Sequence, residues 1–123
     1  MSSKAVYLVG MARTPIGSLG GSLASFTAPQ LGAHAIREAL NRSGVKPDQV
    51  NEVLMGNVVS AGIGQAPAQQ ASIFAGIPMD VPCTTINKVC ASGMKSLMLG
   101  AQSILLGDNE IVVAGGMESM TQA

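Results

Sequence analysis

The sequence predicts an α/β layered fold built on a mostly parallel sheet. Short apolar runs alternate with segments whose apolar residues recur at helical spacing, which is the pattern of strand–helix–strand units. Clusters of Gly, Pro and Ser separate these segments as turns and loops. A third observation is the segment that follows Cys90, which combines an apolar stripe with small residues and predicts a buried central helix.

The first apolar run, Ala5 to Val9, predicts a strand that is buried on both faces of the sheet, because it is short and continuously apolar. Residues 10–26 are rich in Gly and Ser and predict a long loop. A helix follows, with Thr27 as its N-cap and Pro29 in its first turn. Gly44 is expected to end that helix.

Five further elements complete the prediction. They are a strand from Glu52 to Val58, a helix from Ala66 to Ala75, a strand from Thr84 to Val89, the central helix from Cys90 to Leu106, and a strand from Ile111 to Gly115. The central helix has one apolar stripe with a period of 3.6 residues, which we interpret as part of the core. The stripe consists of Met94, Leu97, Met98, Ala101, Ile104 and Leu105.

Cys90 lies where an apolar strand passes into a helix rich in small residues. The first turn of a helix has N–H groups without an intrahelical partner, and the helix dipole places about half a positive charge there. A thiolate is stabilised at such a position, and the thiolate is the nucleophilic form of cysteine. On these residues alone, a reactive cysteine and an inert buried one are both open, because unpaired cysteines are mostly buried and inert.

The residues around Cys90 resemble the acyl-cysteine signature of the thiolase family. The matching positions are Ile86, Asn87, Cys90, Ala91, Ser92, Gly93, Met94, Ser96, Leu97 and Ile104. Three more segments resemble the family's opening strand and loop, its second strand, and the strand and turn after the nucleophile helix. They are residues 7–17, 53–58 and 112–120. The four segments occur in the family's order and extend the resemblance over the whole chain.

The resemblance implies a thiolase-like fold in which two sheets enclose central helices. It implies that residues 1–123 are the N-terminal part of the thiolase N-terminal domain, without the loop region and the C-terminal domain. The implied activity is that of an acyltransferase of fatty acid metabolism. This enzyme condenses two acetyl-CoA molecules to acetoacetyl-CoA, or catalyses the reverse thiolysis, through an acyl thioester on Cys90. Acyl-CoA thioesters are then substrates, no cofactor or metal is needed, and the full-length protein is a homo-oligomer.

The family's later motifs have no counterpart in this sequence. They include the Gly-His-Pro histidine that activates the nucleophile and the second cysteine that serves as acid and base. Because these acid–base groups are missing, we expect the isolated chain to be inactive. The resemblance also implies that the backbone N–H of Cys90 stabilises the tetrahedral oxyanion.

Composition excludes several classes of function. Seven basic and seven acidic residues give no net charge, and only three residues are aromatic, so neither nucleic acid nor an anionic membrane is an expected partner. Hydrophobic residues make up 47% and charged residues 11%, which predicts faces that pack against other parts of an enzyme or another subunit. The sequence shows no export or mitochondrial leader and no apolar run that spans a bilayer, so we expect a cytoplasmic protein.

Four other residues are weaker candidates. Cys83 and Cys90 are the only cysteines, and a disulfide, half of a metal site and free thiols are all conceivable. A reducing compartment favours free thiols, and the single histidine, His34, is too distant in sequence for a zinc site. We interpret Cys83 as inert, His34 as structural, and Arg13 as an exposed loop residue. Glu118 either shapes the cleft or pairs with a buried polar group, and we favour the second.

Two alternatives stand beside an acetyl-CoA acetyltransferase. A ketoacyl synthase of the same superfamily is disfavoured, because residues 87–93 and 116–120 follow the thiolase pattern. A non-catalytic truncated product that associates with full-length thiolase subunits belongs to a different class, and the low charge of the chain favours such association.

Overall fold

The computed structural model describes residues 4–121 and 123. Its helices are α1 (Ala28–Ser43), α2 (Pro67–Phe74) and α3 (Ser92–Leu105), and its strands are β1 (Glu52–Gly56), β2 (Cys83–Ile86) and β3 (Val112–Gly116). A short 3-10 helix, Pro47–Gln49, precedes β1. Within the described residues, no helix is long and apolar enough to cross a membrane.

The three strands form a parallel sheet in the order β2–β1–β3. In this register Val53 of β1 is level with Cys83 of β2 and Val113 of β3. Successive strand residues point to opposite faces of the sheet, so each strand contributes side chains to both faces. The predicted α/β class with a parallel sheet is confirmed.

One face of the sheet packs against α1 and α2. Val53 and Met55 point to this side and are almost completely buried, and Met117, just after β3, packs over Gly32 of α1. The other face packs against α3, whose Gly100 contacts Val112 and Ala114. Helices on both faces explain why four of the five β1 residues are buried.

Helix α1 has the ends that the sequence predicts. The Thr27 hydroxyl accepts a hydrogen bond from the Gln30 N–H (3.4 Å), and the Thr27 N–H donates to the Gln30 side chain (2.9 Å). This pair is a capping box, and it satisfies two N–H groups that a helix start leaves free. At the other end Gly44 adopts φ +74°, a left-handed conformation that glycine accepts without strain.

The strand predicted from Ala5 to Val9 is absent, and that prediction is wrong. Residues 5–9 are neither helix nor strand, and the side chains of Tyr7, Leu8 and Val9 are 78%, 63% and 65% exposed. A strand exists only where another strand completes its hydrogen-bond ladder. No strand in the described part of the chain pairs with these residues, so they do not form a strand despite their apolar pattern.

The central helix differs from its prediction in two respects. It begins at Ser92 instead of Cys90, because Val89 has a left-handed backbone (φ +50°) and Ala91 is not yet helical. The expected apolar stripe is also not the packed face, since Met94 is 61% and Met98 49% exposed. The buried residues of α3 are instead Ser92, Ser96 and Gly100, which lie one turn apart on the side that contacts the sheet.

The strand ends also shift. The second predicted strand stops at Gly56 instead of Val58, because the N–H groups of Val58 and Val59 bond to the Glu118 carboxylate and not to a neighbouring strand. The third spans Cys83–Ile86 instead of Thr84 to Val89, because the left-handed Val89 turns the chain out of the sheet.

Candidate active site

Cys90 is exposed in a tight turn between the carboxyl end of β2 and the start of α3. In parallel α/β sheets the carboxyl ends of the strands form the edge where ligands bind. Cys90 precedes Ala91, the N-cap of α3, so Cys90 lies just outside the helix and not within its first turn. An exposed thiol at this edge is open to a substrate in solution.

The Ser92 side chain and the backbone hold this turn together. The Ser92 hydroxyl accepts a hydrogen bond from the Lys88 N–H (2.8 Å) and donates one to the Val89 carbonyl (2.6 Å). The Val89 N–H donates to the side-chain oxygen of Asn87 (3.0 Å), and the Ala91 N–H donates to the Lys88 carbonyl (3.1 Å). These bonds fix the backbone on both sides of Val89, whose left-handed conformation is unfavourable for a β-branched residue.

The start of α3 rests on glycines at the ends of two strands. A Cβ on Gly56 would lie 2.7 Å from the Ser92 carbonyl carbon and 2.9 Å from the Gly93 nitrogen. A Cβ on Gly116 would lie 3.2 Å from the Gly93 Cα. Only residues without a side chain allow this approach, so Gly56 and Gly116 set the height of the Cys90 turn above the sheet.

The Glu118 carboxylate joins the carboxyl ends of β1 and β3. It accepts hydrogen bonds from the N–H groups of Val58 (2.9 Å) and Val59 (2.6 Å) and from the side-chain amide of Asn57 (3.3 Å). Asn57 is 3% exposed, so the prediction that Glu118 pairs with a buried polar group is confirmed. The Asn57 amide also donates to the Met117 carbonyl, whereas its side-chain oxygen has no partner among the described residues.

Cys83 lies at the opposite end of β2 from the Cys90 turn, and both thiols are free. The Cys83 thiol is half-buried and donates to the Val81 carbonyl (3.3 Å). Burial raises the pKa of Cys83, the nearby Ser72 hydroxyl lowers it in part, and the negative charge of Glu52 adds to the rise. A raised pKa leaves less of the nucleophilic thiolate at neutral pH.

The structure does not bring His34 together with Cys90. His34 is in α1, on the other face of the sheet from α3, and its ring meets Phe26 edge to face at 6.1 Å between centroids. Arg13 is exposed in the segment before α1. Among residues 4–121 and 123, no group of three or more His, Cys, Asp or Glu side chains is placed to hold a metal ion.

Sequence reasoning missed the parts played by Ser92 and Asn57. Ser92 was visible only as a small residue near Cys90, although a serine at a helix start commonly bonds to nearby backbone. Asn57 follows a strand directly, at the edge where α/β sites form. Neither signal tells which backbone groups the side chain reaches, because that depends on the fold.

Fold and site together define a parallel α/β protein that presents a free cysteine at the carboxyl edge of its sheet. The profile of the thiolase N-terminal domain matches residues 6–123. An acetyl-CoA acetyltransferase of Schizosaccharomyces pombe is 58% identical over 123 residues, covering 100% of this chain and 31% of that protein. A cytosolic acetyl-CoA acetyltransferase of Gibberella zeae is 60% identical over 116 residues, covering 94% of this chain and 29% of that protein.

A solved structure agrees with these sequence matches. It is a thiolase of Ascaris suum in complex with coenzyme A, which is similar at a TM-score of 0.95 and 47% identity over 98% of this chain and 31% of that one. The chain belongs to the thiolase family, within its N-terminal domain. It spans about 30% of the length of these relatives.

Proposed function

We propose that this chain supplies the nucleophile of an acetyl-CoA C-acetyltransferase. The observation that carries the proposal is the exposed Cys90 in a helix-start turn at the carboxyl edge of a thiolase N-terminal domain. The relatives are acetyl-CoA acetyltransferases, and the solved neighbour contains coenzyme A, which supports acyl-CoA thioesters as the substrates.

In the proposed reaction, the Cys90 thiolate attacks the carbonyl carbon of acetyl-CoA. The carbon–sulfur bond to coenzyme A breaks, coenzyme A leaves and takes up a proton, and an acetyl group is left on the Cys90 sulfur. The α-carbon of a second acetyl-CoA then loses a proton and attacks the acetyl carbonyl. This step releases acetoacetyl-CoA and regenerates the Cys90 thiolate, and the N–H of Cys90 stabilises the oxyanion in both steps.

We infer that this chain is the first part of a longer thiolase polypeptide. The reaction needs a base for the thiol and an acid–base group for the α-carbon, and His34 is on the wrong face of the sheet for either role. The exposed apolar residues near the amino end and on α3, and the unpaired buried oxygen of Asn57, support further chain packing on this part. The assembled protein is then a cytosolic homo-oligomer that needs no resident cofactor, as the cytosolic relative suggests for location.

An enzyme assay tests the proposal. We define the assembled enzyme as this chain followed by the part of the S. pombe relative that lies beyond the matched region. The 123-residue chain alone should form no measurable acetoacetyl-CoA, because acid–base groups typically contribute about 10²–10⁴ in rate. The assembled enzyme should be active and should carry acetyl on the Cys90 peptide after mixing with acetyl-CoA. Robust thiolysis by the chain alone, or acetyl on Cys83, contradicts the proposal.

The second candidate is a non-catalytic product that associates with full-length thiolase subunits. It is favoured by large apolar side chains that are exposed, such as Tyr7 (78%), Ile16 (81%) and Leu106 (78%). Size-exclusion chromatography of the chain with and without the S. pombe relative distinguishes the two. Co-elution without any acetylated Cys90 in the assembled enzyme supports the non-catalytic reading.

A further inference from the structure

We propose that Ser92 is a positioning residue for the nucleophile, and that its hydroxyl aims the Cys90 N–H at the reacting carbonyl oxygen. The inference rests on the proposed function of Cys90. It concerns a side chain that does not itself touch the substrate, since Ser92 is 5% exposed beneath the turn.

The peptide between Val89 and Cys90 links the orientation of the Val89 carbonyl to that of the Cys90 N–H. A trans peptide is planar, and its C=O and N–H point in opposite directions. No peptide bond among the described residues is cis, so whatever holds the Val89 carbonyl also sets the direction of the Cys90 N–H. The Ser92 hydroxyl donates to that carbonyl at 2.6 Å, and the Ser92 N–H donates to it at 3.2 Å.

The backbone of Val89 is strained. Its φ of +50° is a conformation that β-branched residues rarely adopt, and such strain persists only where surrounding bonds over-determine the backbone. The Ser92 hydroxyl supplies two of these bonds, because it donates to the Val89 carbonyl and also accepts from the Lys88 N–H at 2.8 Å. Without the hydroxyl, Ser92 keeps only the longer bond from its N–H to the Val89 carbonyl, at 3.2 Å, so Val89 is freer to relax and the Cys90 peptide to rotate.

Ser92 is itself held in place on both its backbone and its side chain. Its backbone packs against Gly56, and its hydroxyl uses one donor and one acceptor bond within the turn. The hydroxyl is therefore committed to the backbone and does not act as an acid or base toward Cys90. Its effect on the reaction is geometric, and 1 Å of misplacement can reduce a rate by about 10²-fold.

Ser96 provides a matched control. It is one turn further along α3, its side chain is fully buried, and its hydroxyl donates to the Ser92 carbonyl at 2.9 Å. Ser96→Ala removes a buried hydroxyl from the same helix face but leaves the turn around Val89 intact. Any effect shared by the two variants is a general effect of losing a buried hydrogen bond.

The test measures kcat, KM and the unfolding midpoint of the assembled enzyme. Ser92→Ala should lower kcat by about ten- to a hundredfold with KM within about threefold, since the lost orientation acts in the transition state. Ser96→Ala should lower the unfolding midpoint similarly and keep kcat within about threefold. Ser92→Thr, which keeps a hydroxyl, should recover most of kcat.

The outcomes separate this inference from the proposed function. Three results overturn the role of Ser92. They are an equal kcat for Ser92→Ala and Ser96→Ala, a raised KM with an unchanged kcat in Ser92→Ala, and a natively folded Ser92→Thr that is as slow as Ser92→Ala. If Cys90→Ala keeps its turnover, the proposed function itself is wrong. If Ser92→Ala does not fold, the kcat of Ser92→Thr decides, and a value within about fivefold of the unsubstituted enzyme supports the role.

Discussion

The two cysteines lie at the two ends of the same strand and have opposite surroundings. Cys83 begins β2, is half-buried, and has a pKa that burial raises. Cys90 follows the carboxyl end of β2, is exposed, and lies in a strained turn that Ser92 and Asn87 brace. Position along the strand makes the difference, because the carboxyl ends of parallel strands form the edge where ligands bind, whereas Cys83 at the amino end of β2 packs partly against the hydrophobic core.

The largest expected effect is on turnover. Cys90→Ala in the assembled enzyme should lower kcat by about 10⁴-fold or more, as expected when a covalent nucleophile is removed. Cys83→Ala should keep kcat within about threefold, because the Cys83 thiol is half-buried at the opposite end of β2 from the Cys90 turn. Steady-state assays of the two variants, with folding verified by circular dichroism, make the comparison. Similar losses from both substitutions would remove the distinction between the two ends of β2.

A second prediction concerns the glycine beneath the Cys90 turn. Gly56→Ala should destabilise the chain by about 1–3 kcal/mol, because the new Cβ would meet backbone atoms of Ser92 and Gly93 at 2.7–2.9 Å. Gly115→Ala is the control. Its Cβ would meet only the flexible Met55 side chain, at 3.3 Å, so a cost below about 1 kcal/mol is expected. Urea unfolding measures both variants, and an equal cost would show that close approach at Gly56 does not set the position of α3.

Part of the fold could be predicted from the sequence, and part of it could not. The α/β class, the ends of α1 and the succession of a strand and a helix around Cys90 follow from local patterns, because capping residues and apolar runs act over a few positions. The exposure of Met94 and the missing strand at residues 5–9 do not follow. Both depend on which partners are present, since an apolar stripe or run is buried only where another element covers it.

Within the site, the position of Cys90 was predictable and its supports were not. A cysteine before a helix of small residues is a local signal in the sequence. The bonds from Glu118 to Val58 and Val59 join residues about 60 positions apart, so they exist only after the strands pair. The role of the Ser92 hydroxyl likewise depends on the left-handed Val89, which no sequence rule assigns to valine.

A third prediction concerns the Glu118 carboxylate at the carboxyl edge. Glu118→Ala should destabilise the chain by about 1 kcal/mol, because the N–H groups of Val58 and Val59 lose their acceptor. Glu38→Ala removes the same charge from an exposed ion pair with Arg42 and should cost about 0.5 kcal/mol or less. Urea midpoints at low ionic strength compare the two. Equal costs would mean that the Glu118 bonds add nothing beyond surface charge.

The smallest expected effect is the pH dependence due to Cys83. Burial favours the neutral thiol in the folded chain, so the contribution of Cys83 to the free energy of unfolding is full below the ordinary cysteine pKa of about 8.5. That contribution is lost as the pH rises through the raised pKa of the folded state. Stability should therefore fall less steeply above about pH 8.5 in Cys83→Ala than in the unsubstituted chain. Parallel curves for the two proteins would contradict the raised pKa.

Limiting iodoacetamide tests most directly whether Cys90 is the reactive thiol. Peptide mass mapping of the folded 123-residue chain at neutral pH should find Cys90 alkylated about tenfold faster than Cys83 or more, because Cys83 is half-buried with a raised pKa. In concentrated guanidinium chloride, the two rates should become similar, because the difference comes from the fold. Faster alkylation of Cys83 in the folded chain would contradict the assignment of Cys90 as the nucleophile.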